Sequence, residues 1–127
     1  LVVYGRLPLM ITENCLVQNE TGCRLDRQGP CVPEDGPCRC GQPNVLVDRT
    51  GAAFPLLPAY GHRTEIQNSK PLYLADRPEH RRLGLAYARL RFTTETAEEC
   101  VSVVQNYLDA APAAGDFTRG LYERGVE

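Results

Sequence analysis

The hydrophobic pattern of the first 60 residues predicts strands. Residues 1–4 and 7–11 are apolar runs with several β-branched side chains, as is typical of strands. Pro8 lies in the second run and cannot donate a ladder hydrogen bond, so we expect that run at a sheet margin or at the end of a strand. Residues 45–57 predict a β-hairpin, and residues 48–51 supply its turn.

The last half of the chain alternates extended and helical patterns. Extended segments are predicted at residues 63–66, 72–74 and 87–92. A short helix is predicted at residues 76–83, with Asp76 as its N-cap and Gly84 after its end. A longer helix is predicted from about residue 95 to 110, capped by Thr93 or Thr94, with Glu95 in its first turn.

Apolar side chains of the longer predicted helix recur every 3.6 residues, which is the period of an α-helix. The positions concerned are Ala97, Cys100, Val101, Val104 and Leu108. We expect Val101, Val104 and Leu108 to pack onto a sheet that contains residues 87–92. Strand, helix, strand, helix order predicts an α/β fold of the kind that repeats around a barrel or along a doubly wound sheet.

Composition sets limits on the class of protein. The chain has 127 residues, of which 43% are hydrophobic and 24% charged, and this predicts a single domain over residues 1–127. Its net charge of -2 provides no overall basic field for nucleic acid or anionic membranes. No stretch reaches the roughly 20 apolar residues that span a bilayer, so we expect no membrane partner and a cytoplasmic location. The apolar start at Leu1 leads us to expect a segment of a longer polypeptide.

Cysteine spacing is the strongest chemical signal. Residues 13–44 show no helical or strand period, and they contain Cys15, Cys23, Cys31, Cys38 and Cys40. A loop of this length needs ligands or bridges to hold it in a compact domain. The density predicts a zinc or iron–sulfur site, with disulfides and free thiols as the alternatives. The close spacing of Cys38 and Cys40 and the absence of a secretory signal argue against disulfides.

The identity of the metal stays open at this stage. The paired Cys-x2-Cys knuckles of zinc ribbons are absent, so the spacing indicates an irregular site. His62 follows a Tyr-Gly pair in a loop and is a candidate ligand, with a solvated histidine as the alternative. We expect His80 to be an exposed helix residue and Cys100 to act as a small buried hydrophobe.

Six short motifs in one order resemble a known family. They are Tyr4-Gly5-Arg6-x-Pro8-Leu9-Met10, Glu13-Asn14-Cys15, Asp48-Arg49-x-Gly51-x-x-Phe54-Pro55, Asn68-Ser69-x-Pro71-Leu72, Arg89-Leu90-x-Phe92-Thr93-x-Glu95 and Thr118-Arg119-Gly120-x-Tyr122-x-Arg124-Gly125-Val126. Together they resemble the collagenase-like peptidase family U-32, over nearly the whole chain.

The resemblance implies a fold and a set of ligands. The chain would be a fragment of a TIM-like barrel, from the C-terminal part of the barrel region, with a cysteine-rich insertion at residues 13–44. Several relatives in that family resemble RNA- or quinone-hydroxylation factors that hold a four-iron four-sulfur cluster on four cysteines. Cys15, Cys23, Cys38 and Cys40 match those positions, and His62 stands where another cysteine is expected.

These expectations lead to a first interpretation and two rivals. The first is a metal- or iron–sulfur-binding segment that acts in RNA modification or a related hydroxylation. Four arginines would position an anionic substrate: Arg89, Arg91, Arg119 and Arg124. The rivals are a peptidase, for which no catalytic residues can be assigned, and a non-catalytic structural module. Expected partners are the rest of the polypeptide, an RNA or peptide substrate, and a second copy of the segment. We do not expect the segment to be active without the rest of its polypeptide.

Overall fold

The computed structural model describes residues 1–21 and 42–122 and shows a mixed α/β protein built mostly of sheets. The chain forms two compact units. The first contains Leu1–Leu7 and the chain from Lys70 onward, and the second contains Pro8–Ser69. In the described residues, no helix is long and apolar enough to cross a membrane.

A three-stranded sheet forms the centre of the first unit. Strand β1 (Val2–Gly5) lies between β6 (Leu72–Tyr73), to which it is antiparallel, and β7 (Arg89–Leu90), to which it is parallel. The predicted strand at residues 87–92 is therefore confirmed only over two residues. Val3 is fully buried in β1, as expected of a strand with neighbours on both sides.

Tyrosine rings fill the space between this sheet and the long helix. The rings of Tyr4 and Tyr107 lie 6.2 Å apart, those of Tyr73 and Tyr107 5.5 Å, and those of Tyr4 and Phe92 5.5 Å. These are the tilted and edge-on distances that aromatic pairs prefer. The cluster makes the core of the unit aromatic on one side, while Val3, Leu72 and Leu74 form an aliphatic cluster.

Gly5 ends β1 at a point where another segment passes very close. Its φ is +118°, and a Cβ atom at this position would lie 2.0 Å from the carbonyl oxygen of Arg91. The amide of Arg91 donates to the carbonyl of Tyr4 at 3.0 Å. Only glycine allows both the backbone conformation and this approach.

The long helix α2 (Ala97–Leu108) starts later than the sequence pattern predicted. Thr96, rather than Thr93 or Thr94, is the N-cap, and it forms a reciprocal capping box with Glu99. Glu95 lies before the helix, where its carboxylate accepts hydrogen bonds from the amides of Thr93 and Thr94 at 2.7 and 3.0 Å. The prediction of a helix is confirmed, and its predicted cap and first residue are wrong.

The predicted buried face of α2 is also wrong. Val101 is 70% exposed and Leu108 71%, whereas Val103 and Tyr107 pack against the aromatic cluster. The helix carries two apolar stripes, and the sheet takes the one that contains Tyr107. The reason is the tyrosine hydroxyl, which reaches between two strands as well as packing its ring.

The short helix is a 3₁₀ helix, Pro78–Leu83. Its N-cap is Arg77, which makes no side-chain capping bond, so the prediction of Asp76 as cap is wrong. Gly84 ends it in the left-handed conformation, as expected. His80 is only 7% exposed, so the expectation of an exposed histidine is wrong as well.

The second unit is an antiparallel sheet in the order β2, β5, β4, β3. Its strands are β2 (Pro8–Thr12), β3 (Asn44–Val47), β4 (Ala53–Ala59) and β5 (Arg63–Gln67). Pro8 starts an edge strand, as expected, and β3 and β4 form the predicted hairpin. Asp48 closes the hairpin turn by accepting from the amides of Thr50 and Ala52 at 2.7 and 3.0 Å. A six-residue helix α1 (Leu16–Thr21) lies where the sequence predicted only loop.

Substitution of Tyr107 by Phe tests the role of its hydroxyl. This group donates to the carbonyl of Val3 and accepts from the amide of Leu74 at 2.8 Å. Its loss leaves both buried backbone groups without a partner, which should lower the free energy of unfolding by about 1–3 kcal/mol in urea denaturation. Tyr87→Phe is the control, because Tyr87 is 85% exposed. Equal stability of the two variants would refute the bridging role.

A second pair of variants tests which face of α2 is buried. Val103→Asp places a charge against the aromatic cluster and should cost about 2–4 kcal/mol of unfolding free energy. Val101→Asp, two positions earlier on an exposed face, should change it by less than about 0.5 kcal/mol. Melting curves measured under one condition compare the two, and the reverse order would restore the face predicted from periodicity.

Candidate functional site

Cys15 is the one member of the predicted ligand set of four cysteines that lies in the described residues. It sits between β2 and α1 and is 9% exposed. The backbone on both sides is held to β5: the amide of Leu16 donates to the hydroxyl of Thr64 at 3.1 Å, and the hydroxyl of Thr12 contacts the carbonyl of Thr64 at 3.3 Å. The chain around Cys15 is therefore held at one end of the β2–β5 pair.

His62 lies at the same end of the same pair of strands. Thr12 and Thr64 are opposite each other in the antiparallel register, so the chain that leaves β2 and the chain that enters β5 meet at one edge. An ion pair between Glu13 and Arg63, with 2.9 Å between oxygen and nitrogen, spans this edge. His62 is half-buried in the turn before β5, with a φ of 57°. The structure thus brings two predicted ligands, Cys15 and His62, to one edge of the sheet.

The remaining cysteines of the predicted centre, Cys23, Cys38 and Cys40, lie outside the described residues, as does Cys31. Within the described ranges, no three His, Cys, Asp or Glu side chains form a group suited to a metal ion. Cys100 is a half-buried free thiol on α2, in the other unit. The sequence predicted a buried side chain at this position, and the structure leaves it of intermediate burial.

Two of the predicted anion-binding arginines lie next to β1. Arg89 is exposed at the start of β7. Arg91 is half-buried and donates from Nη1 to the carbonyl of Arg6 at 3.3 Å. The geometry places both on the segment that runs beside β1, and Arg124 lies outside the described residues.

Arg119 is already engaged by a carboxylate. Its Nη1 and Nη2 donate to the two oxygens of Asp76 at 2.6 and 2.8 Å, and Nη1 also donates to the carbonyl of Tyr73 at 2.6 Å. The guanidinium stacks on Phe117, 4.5 Å from the ring centroid. An anionic substrate would have to compete with a bidentate partner, so the contacts make Arg119 a clamp between β6 and the C-terminal part of the chain.

Buried tyrosine hydroxyls are polar groups that sequence reasoning missed. Burial is the main cause that raises the pKa of Tyr107 to about 12, and burial with the neighbouring carboxylate of Glu95 raises the pKa of Tyr4. Tyr4 donates to Glu95 Oε1 at 3.2 Å. Both phenols stay protonated at neutral pH and act as hydrogen-bond donors, not as bases. The motif that contains Tyr4 was a sequence signal for this contact, but its partner lies 91 residues away.

The pair of Asp76 and Arg119 predicts a pH dependence of stability. Hydrogen bonds from Arg119 lower the pKa of Asp76 below its ordinary value near 3.8. The contribution of this ion pair to the free energy of unfolding is therefore complete above the pKa that Asp76 has in the unfolded chain. It is lost as the pH falls through the lower pKa of Asp76 in the folded state. Between about pH 5 and pH 2, Asp76→Asn should lose less stability on acidification than the wild type. Urea denaturation across that range measures this.

The exposed carboxylate of Asp116, which pairs with Lys70, provides the control. Asp116→Asn should retain the acid sensitivity of the wild type. If Asp76→Asn also retains the full acid sensitivity of the wild type, the pairing of Asp76 with Arg119 does not contribute to the pH dependence of stability.

Comparison of the chain with protein-family models, with curated proteins and with solved structures gives no match in any of the three.

Proposed function

We propose that the chain is a metal- or iron–sulfur-binding segment of a protein related to the collagenase-like peptidase family U-32, acting in RNA modification or a related hydroxylation. The observation that carries the proposal is that Cys15, three residues after β2, and His62, one residue before β5, both adjoin the same end of the β2–β5 pair. Hydrogen bonds from Thr12 and Leu16 to Thr64 hold the chain on either side of Cys15 to β5, which supports a ligand at this position.

The ligand set proposed is Cys15, Cys23, Cys38 and Cys40, with His62 as a further candidate. Cys23 follows the last residue of α1 by two positions, and Cys40 precedes the first residue of β3 by four. Both ends of the cysteine-rich stretch are therefore tied by short connections to the unit that contains Cys15. A four-iron four-sulfur cluster on these thiolates would supply electron transfer, and zinc on the same ligands would supply folding free energy.

The barrel origin of the segment rests on a single ladder. β1 and β7 are parallel, as neighbouring barrel strands are, although β6 on the other side of β1 is antiparallel. The connection from β1 to β7 contains strands β2–β6 as well as the 3₁₀ helix, so it is longer than one strand–helix unit. Exposed Arg89 lies at this ladder and supports a role in binding an anionic substrate. The proposed setting is cytoplasmic, and the proposed partners are the rest of the polypeptide and an RNA or peptide substrate.

Exposed apolar edge strands support self-association of the segment. In β2, Leu9, Met10 and Ile11 are each more than half exposed, and β3 is the opposite edge strand with Val45 and Val47 equally exposed. Apolar edge strands are templates for pairing with another chain. Peptidase activity and a purely structural module stay as alternatives, and the sequence motifs assign no nucleophile with its base to the peptidase.

Serine substitutions of the four cysteines test the metal site. Protein purified without oxygen should carry iron and sulfide, or zinc, in fixed ratio to the chain, and each of the four single Cys→Ser variants should lose it. Cys100→Ser is the matched control and should keep the metal. His62→Ala decides whether the histidine is a ligand. Metal retained by all four variants would refute the assignment.

A further inference from the structure

A pocket of about 370 Å³ lies within the first unit, away from the cysteine-rich stretch in sequence. It opens between the sheet, one side of α2 and the segment that follows the 3₁₀ helix. Its lining includes Val3, Leu90, Leu85, Val104, Leu108 and His80. The volume falls within the range of about 300–1,000 Å³ found for small-molecule sites in proteins.

His80, Tyr87 and Tyr107 are the polar side chains of this mainly apolar lining. The hydroxyl of Tyr107 is already bonded to Val3 and Leu74. The side chain of His80 is only 7% exposed, and its Nδ1 is buried without a hydrogen-bond partner among the described residues. Leaving this ring nitrogen unused in a buried position is unfavourable. Rotation of the ring about its Cβ–Cγ bond exchanges nitrogen and carbon positions, so a group in the pocket can be paired by either ring nitrogen.

The charge of the lining limits the class of ligand. None of the side chains that line this pocket in the described chain is a carboxylate, a lysine or an arginine. A charged group placed against these walls would lose part of its hydration without gaining an ionic partner from any of these side chains, which disfavours an anionic or cationic ligand. A neutral hydroxyl or N–H group needs only one hydrogen-bonding partner, and the imidazole provides it.

We propose that this pocket binds a small, neutral, mainly apolar organic molecule, about the size of one or two aromatic rings, through one hydrogen bond to His80. The apolar walls provide most of the affinity, and the imidazole selects molecules that carry a hydroxyl or N–H group. All of its lining residues belong to the first unit and none is a cysteine, so its test does not depend on the cysteines.

Titration with p-cresol and with toluene tests the proposal, because the two probes share a ring and a methyl group and differ by one hydroxyl. In 15N-resolved NMR spectra, p-cresol should shift the amide signals of Leu90, Val104 and Leu108. Its affinity should exceed that of toluene by roughly five- to tenfold, the ratio expected for one neutral hydrogen bond. Absence of shifts up to the solubility limit of p-cresol, or equal affinity for both probes, would overturn the proposal.

Two further variants locate the binding. Val104→Trp should fill the pocket and abolish binding of both probes, whereas Val101→Trp, on the same helix but outside the lining, should leave binding unchanged. His80→Phe keeps an aromatic ring and removes both nitrogens, so it should bring the two affinities together. Binding of p-cresol that survives Val104→Trp, in a protein whose spectrum shows it folded, would place the probe elsewhere and refute the site.

Discussion

The first unit depends on a single hydroxyl group. Extension of the β1–β6 register places Val3 opposite Leu74, yet these two residues do not bond to each other: the hydroxyl of Tyr107 lies between them and bonds to both. A side chain of the helix thus takes the place of a direct backbone hydrogen bond between the two segments. This explains why β6 is only two residues long, why Tyr107 faces inward, and why the aliphatic stripe of α2 is left outside. The aromatic cluster follows, since a ring held at that position brings the rings of Tyr4 and Tyr73 around it.

Local patterns in the sequence predicted the elements better than their contacts. The hairpin at β3 and β4, the stop at Gly84 and the existence of α2 follow from turn residues and periodicity. The cap of α2 was also readable, because Thr96 and Glu99 have capping-box spacing and the earlier threonines do not. The buried face of α2 could not be predicted from the sequence, because the helix carries two apolar stripes. The contact that distinguishes them is the hydrogen bond from Tyr107 to Val3, 104 positions away in sequence.

In the candidate sites, too, the sequence predicted individual residues better than the contacts between them. Cysteine spacing predicted a metal centre, but it is the antiparallel pairing between β2 and β5 that places Cys15 and the turn with His62 at the same end of these strands. The pairing of Arg119 with Asp76 joins positions 43 apart, so a sequence pattern presented that arginine as available for an anion. His80 is buried although Glu79 and Arg82 beside it are exposed, so its charged neighbours in sequence led to the wrong prediction.

Close approach at Gly5 connects two of the short motifs that the chain contains. Tyr4 bonds to Glu95, Gly5 leaves room for the carbonyl of Arg91, and Arg6 donates to the hydroxyl of Thr94 at 3.3 Å. Tyr4, Gly5 and Arg6 of the first motif thus contact the segment that carries the motif of Arg89 to Glu95. In evolution the two segments are therefore expected to change together: a lineage that replaces Gly5 must also move the backbone at Arg91. Joint inheritance of this glycine and of the later segment would mark chains that share this packing, even where their cysteines and chemistry have diverged.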